Sequence, residues 1–132
     1  MNRTSPRSVL LVDDDAEIRH ALKLVFEFEE FQVVGEATDG LEAVRKAAEL
    51  RPDFVILDYY MPRLDGRKAA KLLREVDPDV RIVAFSAILA DKPRWADAFL
   101  NKDRLSAMGP LLRALVKQPL SPLPDTLSEN GA

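Results

Sequence analysis

Acidic residues follow directly after two short apolar stretches of the sequence. The stretch VLLV is followed by Asp13, Asp14 and Asp15, and the stretch FVIL is followed by a single carboxylate, Asp58. A carboxylate that continues a buried strand is costly unless it has a partner, and closely packed carboxylates raise each other's pKa unless a cation joins them. The pattern therefore indicates a site for a divalent cation, with Asp58 as the candidate nucleophile.

A hydroxyl group and an ammonium group follow two further apolar stretches. Ser86 comes directly after RIVAF, and Lys102 comes two residues after AFL. If Asp58 attacks a phosphoryl group, a metal ion and a lysine can neutralise the charge on the equatorial oxygens of the transition state. Lys102 would then pair with the acquired phosphate, and Ser86 would donate a hydrogen bond to it. The four strand ends together indicate phosphoryl transfer.

The composition restricts the kind of metal that such a site could hold. The sequence has no cysteine and one histidine, so thiolate sites and multi-histidine sites are excluded. Asp13, Asp14 and Asp58 supply two or three oxygens, which is too few for a calcium cage but suits Mg²⁺, with Mn²⁺ as an alternative.

Each of these residues alone has an ordinary structural explanation. An aspartate-rich turn such as DDDAE is usually a helix N-cap, a serine after a strand is usually solvated, and a lysine near a strand end is usually a surface charge. Asp58 differs because it continues an apolar run and needs a partner. Since four such positions follow four apolar stretches, the functional interpretation is favoured.

Five short apolar stretches alternate with segments of helical period, which predicts a parallel sheet covered by helices on both faces. The predicted strands are residues 9–12, 31–34, 54–57, 81–85 and 98–100. Ligands of such sheets bind outside the carboxyl ends of the strands. The acidic, hydroxyl and ammonium groups are therefore expected to converge at one edge of the sheet.

The helical segments have apolar stripes that predict their inward faces. The first helix places Arg19 and Lys23 on the side opposite its apolar stripe. The last helix is expected to begin near residues 106–108 and to end near residue 117. The predicted inward stripe of the second helix consists of Leu41, Val44, Ala47 and Ala48.

The segment after the fourth strand is short. Only 15 residues separate Ser86 from Lys102, which leaves room for a short helix with Pro93 at or near its start. Trp95 lies in this segment, where it either covers the core or acts as an exposed anchor for a partner.

The length of 132 residues suits one domain, predicted at residues 8–117 between an N-terminal extension (1–7) and a Pro-rich tail expected to be disordered (118–132). The net charge of -3 comes from 22 acidic and 19 basic residues spread along the chain, so direct nucleic-acid binding is not expected. No apolar run approaches the roughly 18 residues of a membrane span, and no leader is recognisable. The expected location is the cytoplasm.

Four motifs resemble, as an ordered set, the receiver domain of two-component response regulators. They are VLLVDDD, DFVILDYYMPRLDG, VRIVAFSA and FLNKD. The resemblance covers roughly residues 8–117. It implies an α/β flavodoxin-like fold, a doubly wound five-stranded parallel sheet in the order 2-1-3-4-5 with helices on both faces.

The resemblance also implies a role for each site residue. Asp58 would receive a phosphoryl group from the phosphohistidine of a sensor histidine kinase or phosphotransfer protein, with Asp13 and Asp14 helping to hold Mg²⁺. Tyr60 would offer its backbone carbonyl to the metal. The switch pair of the family corresponds to Ser86 and Phe99, and the positions that set the dephosphorylation rate correspond to Tyr60 and Ile88.

The sequence departs from the family in the segment between Ser86 and Lys102, which is shorter than usual by about one and a half helical turns. The fourth helix, which joins the fourth and fifth strands, is therefore expected to be short or irregular. The chain resembles a stand-alone receiver that would act through a downstream protein partner. Both a monomer and a homodimer remain open.

The leading interpretation is a phosphoprotein that catalyses only its own phosphorylation and dephosphorylation, and is not otherwise an enzyme. A degenerate receiver that acts as a phosphorylation-independent adaptor is the alternative within the fold. A magnesium-dependent phosphatase with an aspartate nucleophile is less favoured, because the second acid that it would need is replaced by Tyr60. A flavodoxin is least favoured, because no Ser/Thr/Gly-rich loop follows the first strand.

Overall fold

The computed structural model describes residues 7–61 and 64–117, in which five short strands and four α-helices alternate except that the fifth strand follows the fourth without a helix between them. The strands are β1 (Arg7–Val12), β2 (Phe31–Ala37), β3 (Phe54–Leu57), β4 (Arg81–Ser86) and β5 (Ala98–Asn101). The helices are α1 (Ala16–Glu27), α2 (Gly40–Leu50), α3 (Gly66–Val76) and α4 (Met108–Val116), the last preceded by a 3-10 helix (Lys102–Ala107).

All five strands are parallel and form one sheet in the order β2-β1-β3-β4-β5, which confirms the predicted fold class and strand order. β1 begins at Arg7, the last residue of the predicted N-terminal extension. The predicted tail, residues 118–132, lies outside the described residues. Within the described ranges, none of the helices is both long and apolar enough to cross a membrane.

The register of the strands brings their carboxyl ends to one edge of the sheet. Val12 of β1 pairs with Leu57 of β3, and Ser86 of β4 pairs with Asn101 of β5. Because the strands are parallel, the residues that follow them lie side by side. This edge is where the sequence places its carboxylates, hydroxyl and ammonium group.

Two apolar clusters lie on opposite faces of the sheet, because successive strand residues point to opposite sides. The first cluster joins alternate strand residues to α1 and α4, and includes Leu11, Ile56, Leu22 and Leu112. The second joins the other strand residues to α2 and α3, and includes Leu10, Leu57, Ala47 and Leu73. Since β1 and β3 are buried on both faces, their apolar runs are uninterrupted.

Helices α1, α2 and α3 each begin after an aspartate that caps their free amides. The side chains of Asp15, Asp39 and Asp65 accept hydrogen bonds from amides two or three residues later. The ordinary explanation of the DDDAE motif, a helix N-cap, therefore applies to Asp15. The N-cap does not explain the carboxylates of Asp13 and Asp14, which do not cap α1.

The predicted inward stripe of α2 is wrong at two positions. Leu41 and Ala48 are exposed, whereas Gly40 and Ala43 are buried. The reason is close packing: a methyl group added at Gly40 would lie 2.7 Å from the backbone carbonyl oxygen of Leu64. The helix therefore buries its smallest residues, which apolar patterning does not identify as the core face.

The segment between β4 and β5 contains no helix, which agrees with the prediction that it is short or irregular. One turn closes at Pro93, whose carbonyl accepts a hydrogen bond from the amide of Ala96 at 3.2 Å. Trp95 is partly buried and packs against the cluster that α2 and α3 cover. Of the two interpretations of Trp95, the structure supports the one in which it covers the core.

An arginine on α3 anchors this segment. The guanidinium of Arg74 donates to the carbonyl oxygen of Trp95 at 2.8 Å, to Asp97 Oδ2 at 3.2 Å and to the carbonyl oxygen of Val80 at 3.3 Å. The same Asp97 oxygen accepts from the amide of Ile82 at 2.7 Å. One side chain thus ties α3 to the C-terminal end of the segment between β4 and β5, and to the residue that precedes β4.

We expect Arg74→Ala to lower the free energy of unfolding by about 1–3 kcal/mol, because it leaves partly buried acceptors without their donor. Lys71→Ala is the matched control on the same helix. Lys71 is exposed and makes only a 3.8 Å ion pair with Glu75, so this change should cost about 0.5 kcal/mol or less. Urea unfolding of both variants measures the difference, and equal losses would contradict the anchoring role of Arg74.

Candidate functional site

Asp13 is held at the end of β1 by its backbone and its side chain. Its amide donates to the carbonyl oxygen of Ala37 at 3.1 Å, which extends the ladder between β1 and β2. Its Oδ1 accepts from the amide of Asp15 at 2.9 Å. Asp13 is buried, whereas the neighbouring Asp14 is exposed. The carboxylate is therefore fixed in orientation at the sheet edge.

Asp58 occupies the equivalent position after β3. Its amide donates to the carbonyl oxygen of Val12 at 3.0 Å, and its Oδ1 accepts from the amide of Tyr60 at 3.3 Å. Asp58 is buried, as Asp13 is. The parallel pairing of β1 and β3 thus places two buried carboxylates next to each other.

Lys102 lies between these two carboxylates. Its Nζ is 2.8 Å from Asp13 Oδ2 and 3.4 Å from Asp58 Oδ2. The lysine begins the 3-10 helix, which is capped by the side chain of Asn101 accepting from the amide of Asp103 at 3.0 Å. The sheet edge therefore holds one ammonium group for two buried carboxylates.

Lys102 compensates the negative charge of Asp13 and Asp58 only in part. Burial, together with the nearby charge of Asp13, raises the pKa of Asp58 to about 6, although Lys102 opposes the shift. Burial alone would lower the pKa of Lys102, but the carboxylates of Asp13 and Asp58 outweigh it and raise the pKa. The site therefore favours an additional positive charge.

The donor set fits a hard divalent cation. Asp13, Asp14 and Asp58 each offer a carboxylate oxygen, and these atoms lie within 4.8 Å of one another. Asp13 Oδ2 is buried and contacts Lys102, but it accepts no hydrogen bond of acceptable geometry. Three carboxylate oxygens at an open edge suit an ion that keeps several of its waters.

The remaining predicted residues belong to β4, to β5 and to the segments that follow β3 and β4. Ser86 is buried at the end of β4, where its Oγ accepts from the amide of Ile88 at 3.1 Å. Phe99 is partly buried on β5 and pairs with Ala84. Tyr60 and Ile88 are 73% and 61% exposed. Lys102 is thus in direct contact with Asp13 and Asp58, whereas Ser86 is bonded to the segment after β4.

Aromatic rings stack beside the loop that carries Asp58. Tyr59 lies with its ring centroid 6.1 Å from that of Trp95 and 6.4 Å from that of Tyr60, with interplanar angles of 10° and 20°. A methyl group added at Gly66 would lie 2.8 Å from Tyr59 Cα and 3.2 Å from the Trp95 ring. The loop is therefore packed tightly against α3 and the segment after β4.

Sequence reasoning missed one arginine of the site. The prediction placed Arg19 away from the core of α1, but its Nη1 donates to the backbone carbonyl oxygen of Asp13 at 2.6 Å, and its Nε donates to Glu36 Oε1 at 2.8 Å. The sequence did contain one signal for the pairing of Arg19 with Glu36, namely the positions of the two residues in the predicted elements. Glu36 lies on β2, next to β1 in the predicted strand order, and Arg19 follows the N-cap of α1 by one helical turn.

In metal-free buffer at about pH 7.5, we expect Asp58→Asn to raise the free energy of unfolding by about 1–2 kcal/mol. The pKa of Asp58 is about 6 in the folded chain against 3.8 for an unperturbed aspartate, so its ionisation opposes folding. This penalty is absent below pH 3.8, develops as the pH rises and is complete above about pH 6.

The gain in stability should therefore disappear as the pH is lowered through this window, which urea unfolding at several pH values would measure. Asp91→Asn, a change to an exposed carboxylate in the segment after β4, is the matched control and should show no such gain. An Asp58→Asn protein that is no more stable than the wild type at neutral pH would contradict the repulsion between the buried carboxylates.

The family model of the response regulator receiver domain matches residues 9–101. The chain is 43% identical over 82 residues to the chemotaxis protein CheY of Thermotoga maritima, an alignment that covers 62% of this chain and 68% of that protein. The response regulator domain of T. maritima CheB superposes with a TM-score of 0.73 and 31% identity, covering 85% of this chain and 94% of that chain. CheY in the CheX-CheY-BeF3-Mg complex of Borrelia burgdorferi gives 0.74 and 31%, covering 86% and 92%. This chain belongs to the response regulator receiver domain family.

Proposed function

We propose that the chain is a phosphoacceptor signalling protein that takes a phosphoryl group onto Asp58 in a Mg²⁺-dependent reaction. The donor would be the phosphohistidine of a sensor histidine kinase or of a phosphotransfer protein. The observation that carries this proposal is the contact of one ammonium group, Lys102, with two buried carboxylates, Asp13 and Asp58, at the open edge of the sheet. Such a cluster of charge is suited to binding and attacking an anionic phosphoryl group.

The nucleophile is a carboxylate oxygen of Asp58. It forms a bond to phosphorus while the bond between phosphorus and the histidine nitrogen of the donor breaks, and the imidazole leaves with the electron pair of that bond. The backbone amide of Tyr60 donates to Oδ1, which holds the carboxylate in one orientation during the attack. The chain would catalyse only its own phosphorylation and dephosphorylation, since the group that is modified is its own Asp58.

The carboxylates of Asp13 and Asp14, together with Asp58 and the backbone carbonyl of Tyr60, would hold Mg²⁺ or Mn²⁺. The ion would supply positive charge to the phosphoryl oxygens. Lys102 would neutralise a second part of that charge, since its Nζ already lies between the two buried carboxylates. The solved CheX-CheY complex of B. burgdorferi includes Mg together with BeF3, which supports this choice of ion.

The response to phosphorylation would begin at Ser86. Its hydroxyl oxygen accepts a hydrogen bond from the amide of Ile88, and the hydroxyl can still donate one hydrogen bond. Donation to an acquired phosphate would draw Ser86 toward Asp58 and pull the segment after β4 with it. Phe99 on the neighbouring strand is only partly buried, so its side chain would be free to rearrange with Ser86.

The altered face would bind a downstream protein partner, as CheY of B. burgdorferi forms a complex with CheX. The charge of the chain gives no basic face for nucleic acid, so we propose a protein partner and no direct binding to nucleic acid or membrane. The proposed location is the cytoplasm, with the chain acting as a monomer or a homodimer.

Incubation with acetyl phosphate and Mg²⁺ should add the mass of one phosphoryl group, detected by intact mass spectrometry. Asp58→Asn should abolish the gain, because the amide cannot act as the nucleophile, and EDTA should prevent it. Asp91→Asn, with an exposed carboxylate in the segment after β4, should be modified like the wild type. No gain of mass in the wild type would favour the alternative, a phosphorylation-independent adaptor.

The phosphorylated form should be long-lived, because neither Tyr60 nor Ile88 supplies an amide or carboxylate to orient a hydrolytic water. Tyr60→Asn adds such a group and should speed the loss of phosphate by roughly tenfold. Loss of labelled phosphate after removal of the donor measures the rate. Phe28→Asn, at an 89% exposed position at the end of α1, is the control and should leave the rate unchanged. If the wild-type phosphoprotein lasts only seconds, and replacing Tyr60 or Ile88 does not change that lifetime, these two residues do not tune the rate of dephosphorylation.

A further inference from the structure

A charged network behind the acidic cluster reaches the backbone of β1. Arg19 Nη1 donates to the carbonyl oxygen of Asp13 at 2.6 Å, while Arg19 Nε donates to Glu36 Oε1 at 2.8 Å. Lys23 Nζ donates to the other oxygen of Glu36 at 2.9 Å. The carbonyl that accepts from Arg19 belongs to the peptide bond between Asp13 and Asp14.

The geometry of Arg19 differs from that of a surface ion pair. Its side chain is only 15% exposed, and the planar guanidinium uses two nitrogens to bridge a carboxylate on β2 and a backbone carbonyl at the end of β1. Glu36 is itself held, because Lys46 Nζ donates to its backbone carbonyl oxygen. The guanidinium of Arg19 is therefore held by two acceptors, and one of them, Glu36, is itself held in place.

We infer that Arg19 is a positioning residue for the cation site, and that it orients the peptide between Asp13 and Asp14 so that both carboxylates are presented to the ion. This inference rests on the proposed function. The amide of Asp13 is tied to Ala37, and its carbonyl is tied to Arg19, so the peptide plane that carries Asp14 has little freedom to rotate. Asp14 is exposed, and its orientation depends on that plane.

Residues that hold metal ligands through hydrogen bonds typically change metal affinity by about 10–100-fold when they are replaced. Arg19→Lys keeps the charge and the aliphatic stem but loses the planar fork that bridges two acceptors. We expect this variant to raise the dissociation constant for Mg²⁺, measured by calorimetry on the unphosphorylated protein, about tenfold. Glu36→Gln should raise it in the same direction by a smaller factor, because Arg19 loses its charged support.

A kinetic measurement separates positioning from general damage. With acetyl phosphate as the donor, the half-saturating Mg²⁺ concentration of Arg19→Lys should rise about tenfold, while the rate at saturating Mg²⁺ stays within about threefold of the wild type. Arg51→Lys is the matched control. Arg51 also donates from Nη1 to a backbone carbonyl oxygen, that of Val76 at 2.9 Å. This contact lies at the C-terminal ends of α2 and α3, whereas Asp39 and Asp65 cap their N-terminal ends.

A dissociation constant within about twofold of the wild type for both Arg19→Lys and Glu36→Gln would overturn the positioning role. An equal loss of Mg²⁺ affinity in Arg51→Lys would overturn it too, because the effect would then be unspecific. These outcomes leave the proposed function intact as long as the wild type binds Mg²⁺ and is phosphorylated on Asp58. Failure of the wild type to bind Mg²⁺ would instead overturn the proposed function, and the positioning role with it.

Discussion

The crowding of negative charge at one edge of the sheet is the constraint on which the rest of the structure depends. Asp13 and Asp58 follow adjacent parallel strands, so the spacing of the strands sets how closely they approach. Both carboxylates are buried, and Lys102 compensates them only in part, because the pKa of Asp58 remains raised. The repulsion that makes this edge unfavourable in isolation would also favour the binding of the proposed cation. The repulsion between Asp13 and Asp58 therefore both lowers the local stability and underlies the proposed chemistry.

An edge of this kind works only if its loops are held in place, and the structure does this with close backbone contacts. Gly66 lets the start of α3 approach the loop after β3 so closely that an added methyl group would lie 2.8 Å from Tyr59 Cα. On the other side, the stacked rings of Tyr59 and Trp95 press the loop against the segment after β4. Arg74 then ties that segment to α3. The loop residue next to Asp58 is thus fixed from two directions, although residues 58–61, the described start of the loop, form no helix or strand.

The strands and the charged cluster were predictable because their signals are local. A buried parallel strand is an uninterrupted apolar run, and a carboxylate that continues such a run stands out, as Asp58 does. The inward face of α2 was not predictable from apolarity, because close helix packing selects small residues such as Gly40 over the larger Leu41. The pairing of Arg19 with Glu36 has a positional signal in the sequence, but its contact with the backbone carbonyl oxygen of Asp13 has none, because side-chain patterns do not encode backbone acceptors. The irregular path of the segment after β4 was predictable only as a lack of room for a full helix.

The loss of that helix changes how the site can communicate with a distant surface. In the segment after β4, the amide of Ile88 is bonded to the Ser86 hydroxyl, and the ring of Trp95 is stacked on Tyr59 beside Asp58. The segment is therefore attached to the site at both ends, and no rigid helix lies between the two attachments. A displacement of Ser86 would pass along the eight residues 87–94, whereas Trp95 would keep its place through Arg74. The deformation would accordingly concentrate near Ile88, which is already 61% exposed.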